Sequence, residues 1–131
     1  MTVSLRGATV LVVGGTSGIG LEVARVASSA GALVTAVGRS EERARTAQEA
    51  LGEGVSVRTL NMGDEGAVRA LFDPLASLDH VVITAGRIGF GRVVDTDVAV
   101  VRPAFDDRFW GVYHIVRHAA PIMPPSGSIT L

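Results

Sequence analysis

From Val10 to Gly20 the chain reads VLVVGGTSGIG, an apolar β-branched run that breaks into glycines, a Thr-Ser pair and the first turn of a helical pattern. Few folds accommodate it. Gly14, Gly18 and Gly20 fall where a buried strand must turn sharply into a helix, and glycine makes that turn at little steric cost. A helix starting near Gly18 has first-turn N–H groups without intrahelical partners and the positive end of its dipole facing the strand end, which is an anion site. Thr16 and Ser17 add hydroxyl donors, so a pyrophosphate can be held with few charged side chains. The phosphate loop of NTPases requires Lys-Ser or Lys-Thr after its second glycine, whereas Ile19 follows Gly18. A methyltransferase glycine loop, which holds a nucleoside with the same strand-turn-helix geometry, also fits the stretch.

The pattern continues as a βαβ unit. Ala8 to Val13 has buried-strand character. Ile19, Val23, Val26, Ala27 and Ala30 then recur at helical spacing until Gly31, and Ala32 to Val37 is again short, apolar and β-branched. Strand, helix and strand within roughly 30 residues make two parallel strands joined by a right-handed crossover. The spacing Gly-x-x-x-Gly-x-Gly, with Ile19 between the last two glycines, resembles the short-chain dehydrogenase/reductase family. That resemblance implies a doubly wound (Rossmann) α/β domain with parallel strand order 3-2-1-4-5. It also implies hydride transfer between a nicotinamide cofactor and a carbonyl or alcohol substrate.

With 131 residues and 47% hydrophobic content, one compact domain with fully buried strands is expected over residues 1–131. Apolar runs are too short to span a membrane, and the stretch 1–7 lacks the apolar core of a signal peptide, so a cytoplasmic protein is expected. A formal charge of −1 gives no electrostatic reason to expect nucleic acid or an anionic membrane as partner. Among these 131 residues the absence of cysteine removes thiolate chemistry and cysteine-ligated zinc, and every one of the twelve basic residues is arginine, so no step carried by these residues can use a lysine amine.

The second strand ends in Gly38-Arg39-Ser40. In dinucleotide folds an acidic residue about 20 positions beyond the glycines commonly takes the ribose 2′-hydroxyl; here that position is Gly38. Glycine leaves room for a 2′-phosphate, and Arg39 can grip one through forked, charge-assisted hydrogen bonds, which favours NADP over NAD. The resemblance points the same way. Ser40 is placed both to donate to that phosphate and to cap the next helix, Glu41 to Leu51, with Glu41 and Glu42 in its first turn. Val55 to Leu60 reads as a strand near a sheet edge. The resemblance implies that Asn61, where the family usually has Asp, contacts the adenine amine, with the apolar Met62 beside it.

Asp64 is placed to cap a helix whose inward face is Val68, Leu71, Phe72 and Leu75, ended by Pro74, and Val81 to Thr84 forms a fourth strand. Thr84-Ala85-Gly86 partly matches the family's Asn-Asn-Ala-Gly, whose small residues let backbone approach the cofactor ribose. Gly86 to Gly91 is read as a loop. A short helical stretch near Asp97 to Val101 is expected to stop at Pro103. Phe105, Phe109, Val112, Val116 and Ala120 mark a longer helix, with Trp110 and Tyr113 off its stripe. Three residues before Gly111, where the family carries a relay asparagine, stands Arg108. His114 and His118 share the spacing of a zinc pair but have no third ligand nearby in sequence, so no metal site is expected.

Ser128 to Leu131 opens a fifth strand. The resemblance covers the whole chain and implies that it corresponds to about the first half of a family member. The family's catalytic Ser and Tyr-x-x-x-Lys, which follow the fifth strand, are not among these residues. Tyr113 and Arg117 have the spacing but lie on an earlier helix. No catalytic residue is therefore assigned, and two readings follow: the cofactor-binding half of an NADP-dependent oxidoreductase, or a non-catalytic NADP-binding module or inactive truncated fragment. An exposed apolar edge at the fifth strand and an uncovered face on the last helix are an association hazard; that face is expected to be covered by a partner or by a further part of its own chain, and a homo-oligomer is expected.

Overall fold

The structure is a computed structural model describing residues 4–88 and 91–131. Part of the sequence-expected loop 86–91 (Gly89 and Phe90) and of the N-terminal stretch 1–7 (Met1 to Val3) lies outside them. Five strands, β1 (Thr9–Val13), β2 (Leu33–Gly38), β3 (Val55–Thr59), β4 (His80–Ile83) and β5 (Ser128–Thr130), form one parallel sheet in the order β3-β2-β1-β4-β5. The expected order is the observed one. β1 is central: Val12 lies beside Ala36 of β2 on one side and Val82 of β4 on the other.

Between the strands run α1 (Gly18–Ser29), α2 (Glu41–Leu51) and α3 (Glu65–Phe72). Before β5 come α4 (Val98–Phe105), a π-helical segment (Asp106–Gly111), α5 (Val112–Ala119) and a 3-10 turn (Ala120–Ile122). Alternation along β1 divides the core. Leu11 and Val13 join Val37, Val81 and Ile83 under α3 and α5, while Val10 and Val12 join Val34 and Ala36 under α1. Covered on both faces, β1 needs the continuous apolar run the sequence supplies. Ser40 and Asp64 cap α2 and α3, accepting hydrogen bonds from the N–H groups of Arg43 (3.3 Å) and Ala67 (3.1 Å).

Two helical readings need correction. On α1 the inward face is Gly20, Ala24 and Ala27, while Ile19 and Val26 are exposed. The helix lies so close to the sheet that only small side chains fit beneath it: a Cβ on Gly20 would stand 2.1 Å from the Gly14 carbonyl oxygen. Pro103 does not end a helix either. It sits inside α4, and the helical path continues into the π-helical segment. The wider π turn changes the phase of the stripe. Asp107, Gly111, Ile115 and Ala119 face inward, whereas Phe105 and Phe109, on the stripe that marks the helix in the sequence, are exposed with Trp110 and Tyr113.

Candidate functional site

The carboxyl ends of β1, β2 and β4 open into a cleft of about 480 Å³, lined by the glycine turn, Gly38-Arg39-Ser40, Arg43, Leu60, Met62, Thr84 to Arg87 and Asp107. The glycine turn is drawn tight by its neighbours. Both Gly14 N–H and Gly15 N–H donate to the Val37 carbonyl, at 2.8 and 3.0 Å, so these two amides are spent on the fold. The first helical bond of α1 runs from Leu21 N–H to the Ser17 carbonyl at 3.2 Å. The amides of Gly18, Ile19 and Gly20 precede it and have no intrahelical acceptor. Ser17 is the N-cap residue with extended backbone, its hydroxyl makes no capping bond, and the first turn carries no acidic side chain. These are the conditions under which a helix terminus receives an anion.

Most of the residues singled out from the sequence meet here: Gly14, Thr16, Ser17, Gly18, Ile19, Arg39, Ser40, Met62, Thr84, Ala85 and Gly86 all line the cleft. Gly20 is packed behind the Gly14 carbonyl. Asn61 borders an adjoining cavity of about 350 Å³ together with Arg39, Arg87 and Asp107. Its Oδ1 accepts from Gly63 N–H at 3.1 Å and from Arg39 Nη2 at 3.4 Å. Thr16 is buried against Gly38, where a Cβ would come within 2.0 Å of the threonine Oγ1, so Gly38 is also required for packing. Met62 is buried over Gly111, and its carbonyl lies 3.0 Å from His114 Nδ1. Ser40 accepts the Arg43 N–H while keeping its own hydroxyl proton to donate.

Arg39 points across the cleft to Asp107. Its Nη2 is 2.5 Å from Asp107 Oδ1, and Asp107 Oδ2 is 3.3 Å from both Nε and the backbone N–H of Arg87. Asp107 is buried, and this cluster joins the end of β2 to the loop after β4. Arg108, at the position of the family's asparagine, lies over Gly86 and donates from Nε to the Arg87 carbonyl at 3.1 Å. Sequence reasoning missed Asp107 and Arg43. Asp107 pairs with a residue 68 positions away and faces inward through the π turn, which no local pattern announced. Arg43 reaches the cleft from the first turn of α2, one turn beyond Ser40, and that spacing was the available signal.

His118 stacks on Phe72 with ring centroids 6.2 Å apart, and its Nε2 lies 3.4 Å from a Glu65 carboxylate oxygen without the alignment of a hydrogen bond. Among the described residues, no helix is long and apolar enough to cross a membrane.

A glycine turn between the central strand and its helix, at the point where strand order reverses, is the dinucleotide arrangement of doubly wound sheets. The sequence model for short chain dehydrogenases matches residues 8–130. The chain belongs to the short chain dehydrogenase family. It is 36% identical over 129 residues to the 3beta-hydroxysteroid dehydrogenase of Mediterraneibacter gnavus, a match covering 89% of this chain and 45% of that protein. A solved short chain dehydrogenase/reductase family protein superposes with a TM-score of 0.84 at 37% identity, over 91% of this chain and 51% of its own. A variant actinorhodin polyketide ketoreductase solved with NADPH gives a TM-score of 0.80 at 28% identity, over 86% and 46%. The chain spans from 34 to 54% of the length of curated relatives it matches. Within that span it holds the part of the short chain dehydrogenase fold that contains the glycine turn.

Proposed function

We propose that this chain holds NADP(H) as the cofactor-binding half of a short chain dehydrogenase that interconverts a carbonyl compound and an alcohol. The observation that carries the cofactor assignment is the pairing of two anion-binding features in one cleft. The free amides of Gly18, Ile19 and Gly20, with the Ser17 hydroxyl, suit a pyrophosphate. Arg39, Ser40 and Arg43 gather at the end of β2, where Gly38 stands in place of a carboxylate that would repel a 2′-phosphate. Asn61 and Met62 are assigned to the adenine side. Thr84, Ala85 and Gly86 are assigned to the ribose, Gly14 and Thr16 to shaping the turn and Gly20 to seating its helix.

NADPH supplies the hydride for such a reaction. The residues present here bind and orient the dinucleotide, and the proton-transfer groups are assigned to the rest of the whole protein. Arg108 cannot act as the donor-acceptor amide the family places there, because guanidinium offers donors only. The exposed Phe105, Phe109, Trp110 and Tyr113 are assigned to a homo-oligomer contact, and a cytoplasmic location suits a cofactor of this kind.

Titrating the chain with NADPH and NADH, followed by nicotinamide fluorescence, tests the cofactor reading. NADPH binds more tightly, and Arg39→Ala loses about tenfold of that preference, the worth of one charge-assisted phosphate contact. Equal affinities in the parent chain refute the assignment made from Gly38 and Arg39.

A further inference from the structure

We propose that Asp107 is a specificity-determining residue that competes with the cofactor's 2′-phosphate for Arg39, so that binding NADP(H) exchanges one anionic partner of this guanidinium for another. This rests on the reading of the cleft as an NADP(H) site. Among the described residues, Thr16 and Asp107 are the polar side chains classed as buried, and Asp107 is the acidic one. Its side chain is only 6% exposed and lines the same cleft as the glycine turn, the space assigned to a polyanion. A carboxylate in that position is tolerable only when neutralised, and Arg39 and Arg87 both do so.

The two arginines are attached differently. Arg39 is held through Nη2 alone, at 2.5 Å from Asp107 Oδ1 and 3.4 Å from Asn61 Oδ1, so its Nε and Nη1 are not engaged by Asp107. Arg87 holds Oδ2 twice, through Nε and through its backbone N–H, both at 3.3 Å. When Arg39 turns to a phosphate, Asp107 keeps the Arg87 contacts and is not left as a buried unpaired charge. Arg39 in turn gains a partner that matches its fork with more negative charge. The exchange nevertheless lowers the apparent affinity, because the binding-competent orientation of Arg39 must be drawn away from a short ion pair. Asp107 thus weakens 2′-phosphate recognition specifically and leaves contacts to the rest of the adenosine moiety largely untouched.

The test compares adenosine 2′,5′-bisphosphate with AMP by isothermal titration calorimetry on the 131-residue chain. Asp107→Asn keeps the shape and an oxygen acceptor for Arg87 N–H but removes the charge. It should raise affinity for the bisphosphate about tenfold and that for AMP about twofold or less, the difference being one charge-assisted bond no longer in competition. In an Arg39→Ala background the same substitution should leave the ratio of the two affinities unchanged, since the shared guanidinium is gone. Arg87→Gln provides a second route should Asp107→Asn not fold. Asp107 then depends on Arg39 alone, and the ratio of bisphosphate to AMP affinity falls. An unchanged or lower ratio in Asp107→Asn, an Asp107→Asn effect that persists without Arg39, or an unchanged or higher ratio in Arg87→Gln overturns the proposal. Failure of the parent chain to bind either nucleotide overturns the NADP(H) reading and this inference with it, whereas normal parent binding with an unresponsive ratio overturns the inference alone.

Discussion

Alanine at position 14 would place a methyl group where no atom can stand. A Cβ on Gly14 would lie 2.6 Å from the Ala85 backbone nitrogen, 2.6 Å from Thr84 Oγ1 and 3.0 Å from the Ala85 Cα. Two of these are backbone atoms of the segment following β4, whose Thr84 and Ala85 amides are tied to the Val13 carbonyl at 2.8 and 3.2 Å. The neighbours cannot move without loosening the sheet. Gly14 also has φ +90°, in the region that L side chains adopt at a cost of about 1–2 kcal/mol. Forced overpacking adds about 1–3 kcal/mol, and the reduced freedom of the unfolded chain returns about 0.4–1 kcal/mol. Gly14→Ala should therefore lose about 2–4 kcal/mol, a large part of the roughly 5–15 kcal/mol available to a domain. Gly18 is the control. It too has positive φ, +53°, but nothing lies within 4 Å of its hypothetical Cβ. Only backbone strain acts there, and Gly18→Ala should lose about 1 kcal/mol. Urea unfolding of both variants, followed by far-UV circular dichroism, measures the difference as a shift in midpoint at constant slope. Equal losses, or a larger one at Gly18, would refute the claim that close approach at Gly14 shapes the turn.

Asp64→Ala removes the cap of α3 and should lower stability by about 1 kcal/mol in the same urea experiment. Asp79→Ala should cost more, about 1–3 kcal/mol, because Asp79 Oδ2 accepts the part-buried Thr9 N–H at 2.8 Å and that donor is left unsatisfied. Glu22→Gln should leave the thermal midpoint at neutral pH unchanged within reproducibility, since the Glu22–Arg25 pair is fully exposed. The hydrogen bond from Arg25 holds the Glu22 carboxyl below its ordinary value. Any contribution from the pair is thus present above the unfolded-state pKa and fades as pH falls through the folded-state one. A midpoint difference between parent and Glu22→Gln that grows as the solution is acidified would contradict this.

Where local pattern and tertiary packing agree, the fold was legible in advance. The caps Ser40 and Asp64 and the edge position of β3 follow from turn residues and short alternating runs, the parallel pairing of the first two strands from the right-handed crossover, and the full strand order from the resemblance of the glycine spacing to the short-chain dehydrogenase/reductase family. Of the α1 stripe read from the sequence, Ala27 is buried and Val23 packs against the core, but Ile19 and Val26 are exposed, because the close approach of helix and sheet selects Gly20 and Ala24 in their place. The stripe on the last long helix was misread for a different reason. A π turn between Asp106 and Gly111 alters the residue period, and the sequence contains no local signal for it.

By itself, the stretch from Val10 to Gly20 determined a strand, a sharp turn and a helix terminus able to meet an anion, because glycine placement and apolar periodicity act over a few residues. Likewise Gly38-Arg39 determined that a cation, and no carboxylate, stands beyond the second strand. Only the tertiary structure decided where that cation points. Arg39 and Asp107 are 68 positions apart and meet because the sheet brings the end of β2 beside the π-helical segment. A charge pair acts through distance in space, and sequence separation carries no information about it.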